Sequence, residues 1–325
     1  MATYMTRRDL LRTAGVLGGG AVLAHLCPPS IVRAHALLQQ APPDPLAAAA
    51  AFRAQMAAAP IEATRLTDTL TMLAGPGGNV AVLNGPDGKI VVDTFVQGAF
   101  APLKQRLDAM GSAPILYAVD THWHFDHADN NEGFRQANAA VVAHANTAKR
   151  LSETRGLLGM RFNPVPKGAM PTQTFAQTHT LTANGEQVNL AYAPPAHTDT
   201  DITVHFTRGN VLHMGDLFFN GMYPFIDATT GGNMNGMIAA ADRALKLVNA
   251  TTRIVPGHGP VADRGALTKY RDVLVTVRDR VAKLKKAGRT EQEVVAAKPT
   301  ADLDPIWGKG FMMPDVFVSI VYNTL

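Results

Sequence analysis

The stretch "VDTHWHFDHADN", residues 119–130, sets His122, His124, Asp126 and His127 within six residues of a 325-residue chain that has eleven histidines in all. On an extended strand end a His-x-His pair points both imidazoles to one side, Asp126 continues the alternation, and His127 faces the other way if the chain turns there. Such a group makes poor apolar core and good metal half-sites. More ligands are offered elsewhere: His197 in "APPAHTDTD", Asp216 in "HMGDLF" and His258 in "VPGHGP". Each stands in a loop of the kind where a β scaffold converges side chains on one edge. Five histidines and two aspartates suffice for two metals with three ligands each and one bridging carboxylate. Imidazole and carboxylate suit zinc, iron or manganese.

The bulk properties narrow the chemistry. Hydrophobic residues at 46% and charged residues at 17% describe a globular chain. The formal charge is +4, but residues 1–36 carry four arginines against Asp9, a net +3, which leaves +1 for the rest. A basic face for nucleic acid is therefore not expected. Within that segment "MTRRDLLRT" precedes the short apolar run "AGVLGGGAVLAHL", and "RAHA" at 33–36 offers small residues for cleavage. The run is too short to span a bilayer, so residues 1–36 are expected to be a twin-arginine export signal. The expected location is periplasmic or secreted, with no stable membrane anchor. The single cysteine, Cys27, lies inside the signal. The exported chain then has no disulfide, no thiol nucleophile and no thiolate ligand.

The elements that must position the ligands follow from pattern. Residues 37–66 are expected as an N-terminal helix or linker, with Asp44 as N-cap, Pro45 in the first turn and Pro60 as the stop. Residues 67–325 form one domain. "DTLTMLAG", "NVAVLNG" and "KIVVDT" are short β-rich runs, the last two joined by a turn at "GPDG" (85–88). "GAFAPLKQRLDAMG" is an amphipathic helix, and "PILYAVDT" is a buried strand leading into the histidine motif. "AAVVAH", a hairpin about Asn184-Gly185, "DITVHF", "NVLHMGDLF" and "TRIVPGHG" supply further strands. "MIAAADRALKLV", "ALTKYRDVLVTVRDRVAKLKKAG" and "FMMPDVFVSIVYNTL" supply helices, the last burying Phe317, Val318 and Val321. Two packed sheets flanked by helices are expected, not a doubly wound parallel sheet.

His122-x-His124-x-Asp126-His127, then His197, Gly215-Asp216 and Gly257-His258-Gly259 in that order, resembles the metallo-β-lactamase superfamily. The resemblance runs from about residue 67 to the C-terminus. It implies a single α/β domain built as a four-layer αββα sandwich with metals at one edge of the sheets. It also implies two Zn2+ per chain, with Fe or Mn as substitutes. His122, His124 and His197 would hold the first, Asp126, His127 and His258 the second, and Asp216 would bridge them. Asp93 in "VVDT" would orient a ligand from behind. The implied activity is hydrolysis of a small ester, lactone, thioester or amide by a metal-bridging hydroxide, with His122, His124, Asp126 and Asp216 carrying catalysis. The commonest β-lactamase subclass has a cysteine where this chain has Asp216, so the resemblance is nearer the glyoxalase II and lactonase branches, with weak β-lactam turnover as a secondary activity.

The fold also hosts iron-dependent chemistry, and a sulfur dioxygenase-type oxidoreductase is the alternative. His124 speaks against diiron oxygen reductases, which usually carry Glu there. Tyr223, Phe219 and Phe225 in "FFNGMYPFID" are expected to wall a mainly apolar pocket. His144, His179, His205 and His213 are taken as structural. Thr198, Asp199 and Asp201 are open between ligand support and turn formation, and Asn131 or Asp129 is expected to cap a helix at "ADNNEGF". The partner is a small-molecule carbonyl substrate. The sequence does not set the oligomeric state.

Overall fold

The structure is a computed structural model that describes residues 44–325. Residues 1–36, where an export signal is expected, and Cys27 within them lie outside the described residues. Helix α1, Pro45–Ala57, begins as expected, with Asp44 accepting from the Leu46 amide. Four antiparallel strands follow: β1 Glu62–Arg65, β2 Leu70–Ala74, β3 Asn79–Gly85 and β4 Gly88–Val92. Strand β1 pairs along its length with β2, so the sheet begins ahead of residue 67. It has no apolar alternation because all four of its side chains are exposed.

The chain then runs through α2 Phe100–Ala109, β5 Ile115–Val119, α3 Phe125–Ala128, α4 Asn131–Gln136, β6 Ala140–His144 and α5 Ala145–Leu151. A small hairpin, β7 Arg155–Leu157 with β8 Met160–Phe162, precedes β9 Gln173–Phe175. The second half holds β10 Thr178–Ala183, β11 Glu186–Tyr192, β12 Ile202–Phe206 and β13 Val211–His213. After these come α6 Met234–Leu247, β14 Arg253–Val255, α7 Arg264–Lys286, α8 Glu291–Ala296, α9 Asp304–Trp307 and α10 Pro314–Asn323. No described helix is long and apolar enough to cross a membrane.

The strands make a seven-stranded sheet, β1-β2-β3-β4-β5-β6-β9, and a five-stranded sheet, β10-β11-β12-β13-β14. Side-chain alternation assigns the layers. Val80, Val82, Val91, Ala118 and Val141 face a cluster with Ala49 of α1, Leu103 and Leu107 of α2 and Phe134 of α4. Their neighbours Ala81, Leu83, Ile90, Val92, Val119 and Val142 face Val188, Val204, Phe206, Val211 and Val255 of the other sheet. Leu212 and Ile254 point outward from that sheet to α6 and α7, where Phe317, Val318 and Val321 of α10 are also buried. Helix, sheet, sheet, helix is the resulting order, as expected.

Strands β4 and β5 are parallel, as are β13 and β14, and β11 runs in the direction of β13 through two antiparallel pairings. The loops that follow β4, β5, β11, β13 and β14 therefore emerge in bundles at strand C-terminal ends. Ile202 N–H donates to Thr121 O across 2.9 Å and Asn79 N–H to Gly257 O across 2.8 Å, tying the two sheets together at that edge.

Candidate metal centre

All seven ligand candidates meet at this edge. His122, His124, His197 and Asp216 form one group and Asp126, His127 and His258 a second, with the ligand atoms of each group within 4.8 Å of one another. The local backbone differs from the expected extended alternation. The chain turns at 121–123, His124 precedes α3, and Asp126 and His127 lie on that single helical turn. Helical spacing, not strand alternation, separates Asp126 from His124.

Hydrogen bonds fix which nitrogen of each imidazole faces the centre. The Asp93 carboxylate accepts from Thr121 N–H and Oγ1–H, each at 2.8 Å, and its Oδ2 stands 2.7 Å from His127 Nδ1. A carboxylate only accepts, so His127 Nδ1 carries the proton and Nε2 presents a lone pair. Thr121 Oγ1, having donated to Asp93, accepts from His122 Nδ1 at 3.1 Å, which leaves His122 Nε2 as a lone pair too. His197 Nδ1 donates to Phe225 O at 2.8 Å, and His124 Nε2 to Asp227 Oδ2 at 3.3 Å. The lone pairs of His197 Nε2 and His124 Nδ1 then face each other across 2.9 Å. Two neutral imidazole lone pairs at that distance repel unless a cation shares them. His122 Nε2, His127 Nε2 and Asp216 Oδ1 are moreover buried with no hydrogen-bond partner. Orphaned acceptors at the convergence of five histidines and two carboxylates fit divalent cations.

Asp216 spans the two groups. Its Oδ2 lies 3.3 Å from His197 Nε2 and 3.8 Å from His122 Nε2, while its Oδ1 lies 3.2 Å from His127 Nε2 and 3.4 Å from His258 Nε2. Asp126 Oδ2 lies 3.5 Å from both His127 Nε2 and His258 Nε2. Burial would raise the Asp216 carboxyl, but His258, His127, His197 and His122 outweigh it and hold it well below the usual range. Burial lowers His197 to about 4 and His122 well below its ordinary value, keeping both neutral as ligands must be. Burial also opposes charge on His127 and His258, yet the neighbouring carboxylates raise both, His258 to about 9.

The backbone around these ligands is crowded. A Cβ at Gly257 would stand 2.0 Å from Asp216 Oδ1, and one at Gly78 would stand 2.7 Å from His127 Cε1. Asn79 Nδ2 donates to Pro256 O and Gly259 O, at 2.9 and 2.8 Å, and so holds the His258 loop. Asp201 settles the turn that carries His197, accepting from His197 N–H, Thr198 N–H and Thr198 Oγ1–H. Asp199 instead pairs with Arg150 through both carboxylate oxygens, away from the ligands.

The other sequence candidates sort as follows. Tyr223 is fully buried, donates to Asp304 Oδ1 at 2.9 Å and stacks on Phe317, so it is core and not a pocket wall. Phe219 is also fully buried and stacks under the His258 ring at 5.1 Å. Phe225 is half-buried, 6.0 Å from His124 and 5.9 Å from His197. Neither Asp129 nor Asn131 is the N-cap of α4: Asp129 ends α3 as its C-cap and pairs with Arg53, and Asn131 is buried and donates to Asp120. Asn130 holds the N-cap position of α4 without a side-chain cap bond. His213 is structural, accepting from Gly215 N–H and donating to Asn79 O, and His144 accepts from the Asn146 amide at the start of α5. His179 stacks on Phe175, and His205 lies half-buried on β12. Asp227 escaped sequence reading, being 103 residues from His124 with no motif to join them.

Comparisons agree with this geometry. The chain is 26% identical to a probable metallo-hydrolase of Methanocaldococcus jannaschii over 187 residues, 55% of this chain and 86% of that protein. It is 22% identical to an acyl-coenzyme A thioesterase of Gallus gallus over 209 residues, 57% of this chain and 73% of that one. Among solved structures, a metallo-beta-lactamase from Pontibacter korlensis shares the fold at a TM-score of 0.56 and 20% identity, covering 66% of this chain and 99% of its own. With the family profile matching residues 74–279, the span that carries all seven ligand candidates, the chain belongs to the metallo-beta-lactamase superfamily.

Proposed function

We propose that this protein is a dinuclear zinc hydrolase acting on a small ester, thioester, lactone or amide. The observation that carries the reading is the division of Asp216, one oxygen toward His122 and His197 and the other toward His127 and His258. A carboxylate so placed serves two cations at once. His122, His124 and His197 would hold the first, and Asp126, His127 and His258 the second. Two divalent cations at such a site acidify water and polarise a carbonyl oxygen. The chain's own part is to fix the imidazole tautomers through Thr121, Asp93, Phe225 O and Asp227. It also keeps Asp216 ionised and encloses the His122, His124 and His197 side of the centre. The similarity to an acyl-coenzyme A thioesterase supports the thioester arm.

The test counts metals and bonds together. Zinc-loaded protein is expected to hold two ions per chain and to hydrolyse one class among an aryl ester, an acyl homoserine lactone, a thioester and a cephalosporin. Asp216→Ala is expected to lose a metal and at least about 100-fold in turnover. A two-zinc protein inert to the whole panel would sink the reading, and oxygen consumption after reloading with iron would favour the oxidoreductase in its place. We also propose export through residues 1–36; replacing Arg7 and Arg8 with lysine should keep the protein in the cytoplasm, as fractionation would show.

A further inference from the structure

The seven ligand side chains are not equally enclosed. His122, His124, His127, His197 and Asp216 are between 0 and 5% exposed, while Asp126 is 12% and His258 15% exposed. The centre therefore opens over the Asp126–His258 side, and a ligand must arrive there. The Gly75–Gly78 turn closes on Asp126 from one direction: a Cβ at Gly77 would stand 2.7 Å from Asp126 Cβ. From another comes the segment between α9 and α10, whose Phe311 ring lies 6.0 Å from His258 and 6.2 Å from Phe219. Phe219 is fully buried beneath His258, whereas Phe311, next to the same imidazole, is only half-buried. Phe225 is likewise half-buried, against His124 and His197 in the other group.

The Phe311 segment is anchored. Tyr223 N–H donates to Trp307 O at 2.8 Å, the Tyr223 hydroxyl donates to Asp304, and Gly310 packs so closely on Met222 that a Cβ there would stand 2.7 Å from Met222 Cβ. Ile306 and Met313, on either side of Phe311 in the chain, are 67% and 43% exposed.

We propose that Phe311 and Phe225 form apolar walls on opposite sides of the metal centre, and that the substrate bears an alkyl chain or aryl ring next to its carbonyl. Continuity points to that occupant: the half-buried Phe311 borders His258, the most exposed of the seven candidates. The carbonyl rests on the hydrolase reading above; the apolar group does not.

Binding separates the two. Calorimetry on the zinc-loaded protein would compare acetate with octanoate, two carboxylates that differ only in the chain available to the walls. Octanoate is expected to bind at least about 10-fold more tightly, as burial of a few methylenes provides. Phe311→Ala should abolish most of that preference with zinc content and acetate affinity unchanged, while Phe311→Leu should keep most of it, which guards against an alanine variant that fails to fold. Equal affinities in the wild type, or a preference untouched in a folded Phe311→Ala protein, would overturn the proposal. A protein that prefers octanoate but hydrolyses nothing would overturn the hydrolase reading and leave the apolar walls standing.

Discussion

At the scale of single residues, the imidazoles do not choose their own tautomers. Asp93 accepts from His127 Nδ1–H and Asp227 accepts from His124 Nε2–H, so each carboxylate decides which lone pair points inward. Asp227 is itself held by Thr229 N–H and Oγ1–H and by Thr230 Oγ1–H, and burial does not neutralise it: the hydrogen bond from His124 and its threonine donors bring it down to about 2. Asp227→Asn should weaken zinc at the three-histidine group about 10-fold and Asp227→Ala toward about 100-fold, measured by competition with a chromogenic chelator. Retention of wild-type affinity by both would make Asp227 a turn residue only. Gly257→Ala is a harsher change, because its Cβ would stand 2.0 Å from Asp216 Oδ1 and 2.8 Å from the Asp216 amide nitrogen. The carboxylate has to move, so Gly257→Ala should hold fewer than two zinc ions per chain by elemental analysis.

At the scale of elements, α1 is a strut for α3 more than a linker. Arg53 reaches across 76 residues to grip both oxygens of Asp129, at 2.6 and 2.7 Å, two residues beyond His127. The Asp129 carboxylate is 8% exposed, and burial raises its pKa against the pull of Arg53. Arg53→Ala strands that charge and should cost about 3 kcal/mol in denaturant unfolding. Asp129→Ala added to it should cost far less than the sum of the two single changes. Sequence reading placed α1 but not its contact, since a long-range ion pair leaves no local pattern. It found most strands because burial on both faces leaves continuous apolar runs such as Val80–Leu83. It missed exposed β1 and the three-residue strands β7, β8 and β9, too short to show a period. The ligand candidates that meet at the strand ends were legible because a dense histidine motif has few other uses. Their supports, Asn79, Thr121 and Asp227, were not, because Asn, Thr and Asp in loops cap and turn far more often than they orient a ligand.

At the scale of the whole molecule, the centre is a seam between the two sheets, and its occupancy should be felt by the entire domain. Strand-end loops of one sheet supply Asp126 and His127, loops of the other supply His197, Asp216 and His258, and His122 and His124 come from the first to meet them. Without cations, the lone pairs of His124 and His197 oppose each other at 2.9 Å, and buried polar atoms of His122, His127 and Asp216 have no hydrogen-bond partner. Cations that bind the folded chain alone stabilise it by about 4 kcal/mol at a thousandfold excess over the dissociation constant. For a domain of this size that corresponds to a rise in Tm of about 10 °C. Chelation should therefore lower Tm by about that amount, zinc should restore it, and Asp216→Ala, lacking the carboxylate that joins the two groups, should recover only part of it. A Tm unmoved by complete removal of metal would mean that the sheets hold the seam together unaided, and the coupling argued here would be wrong.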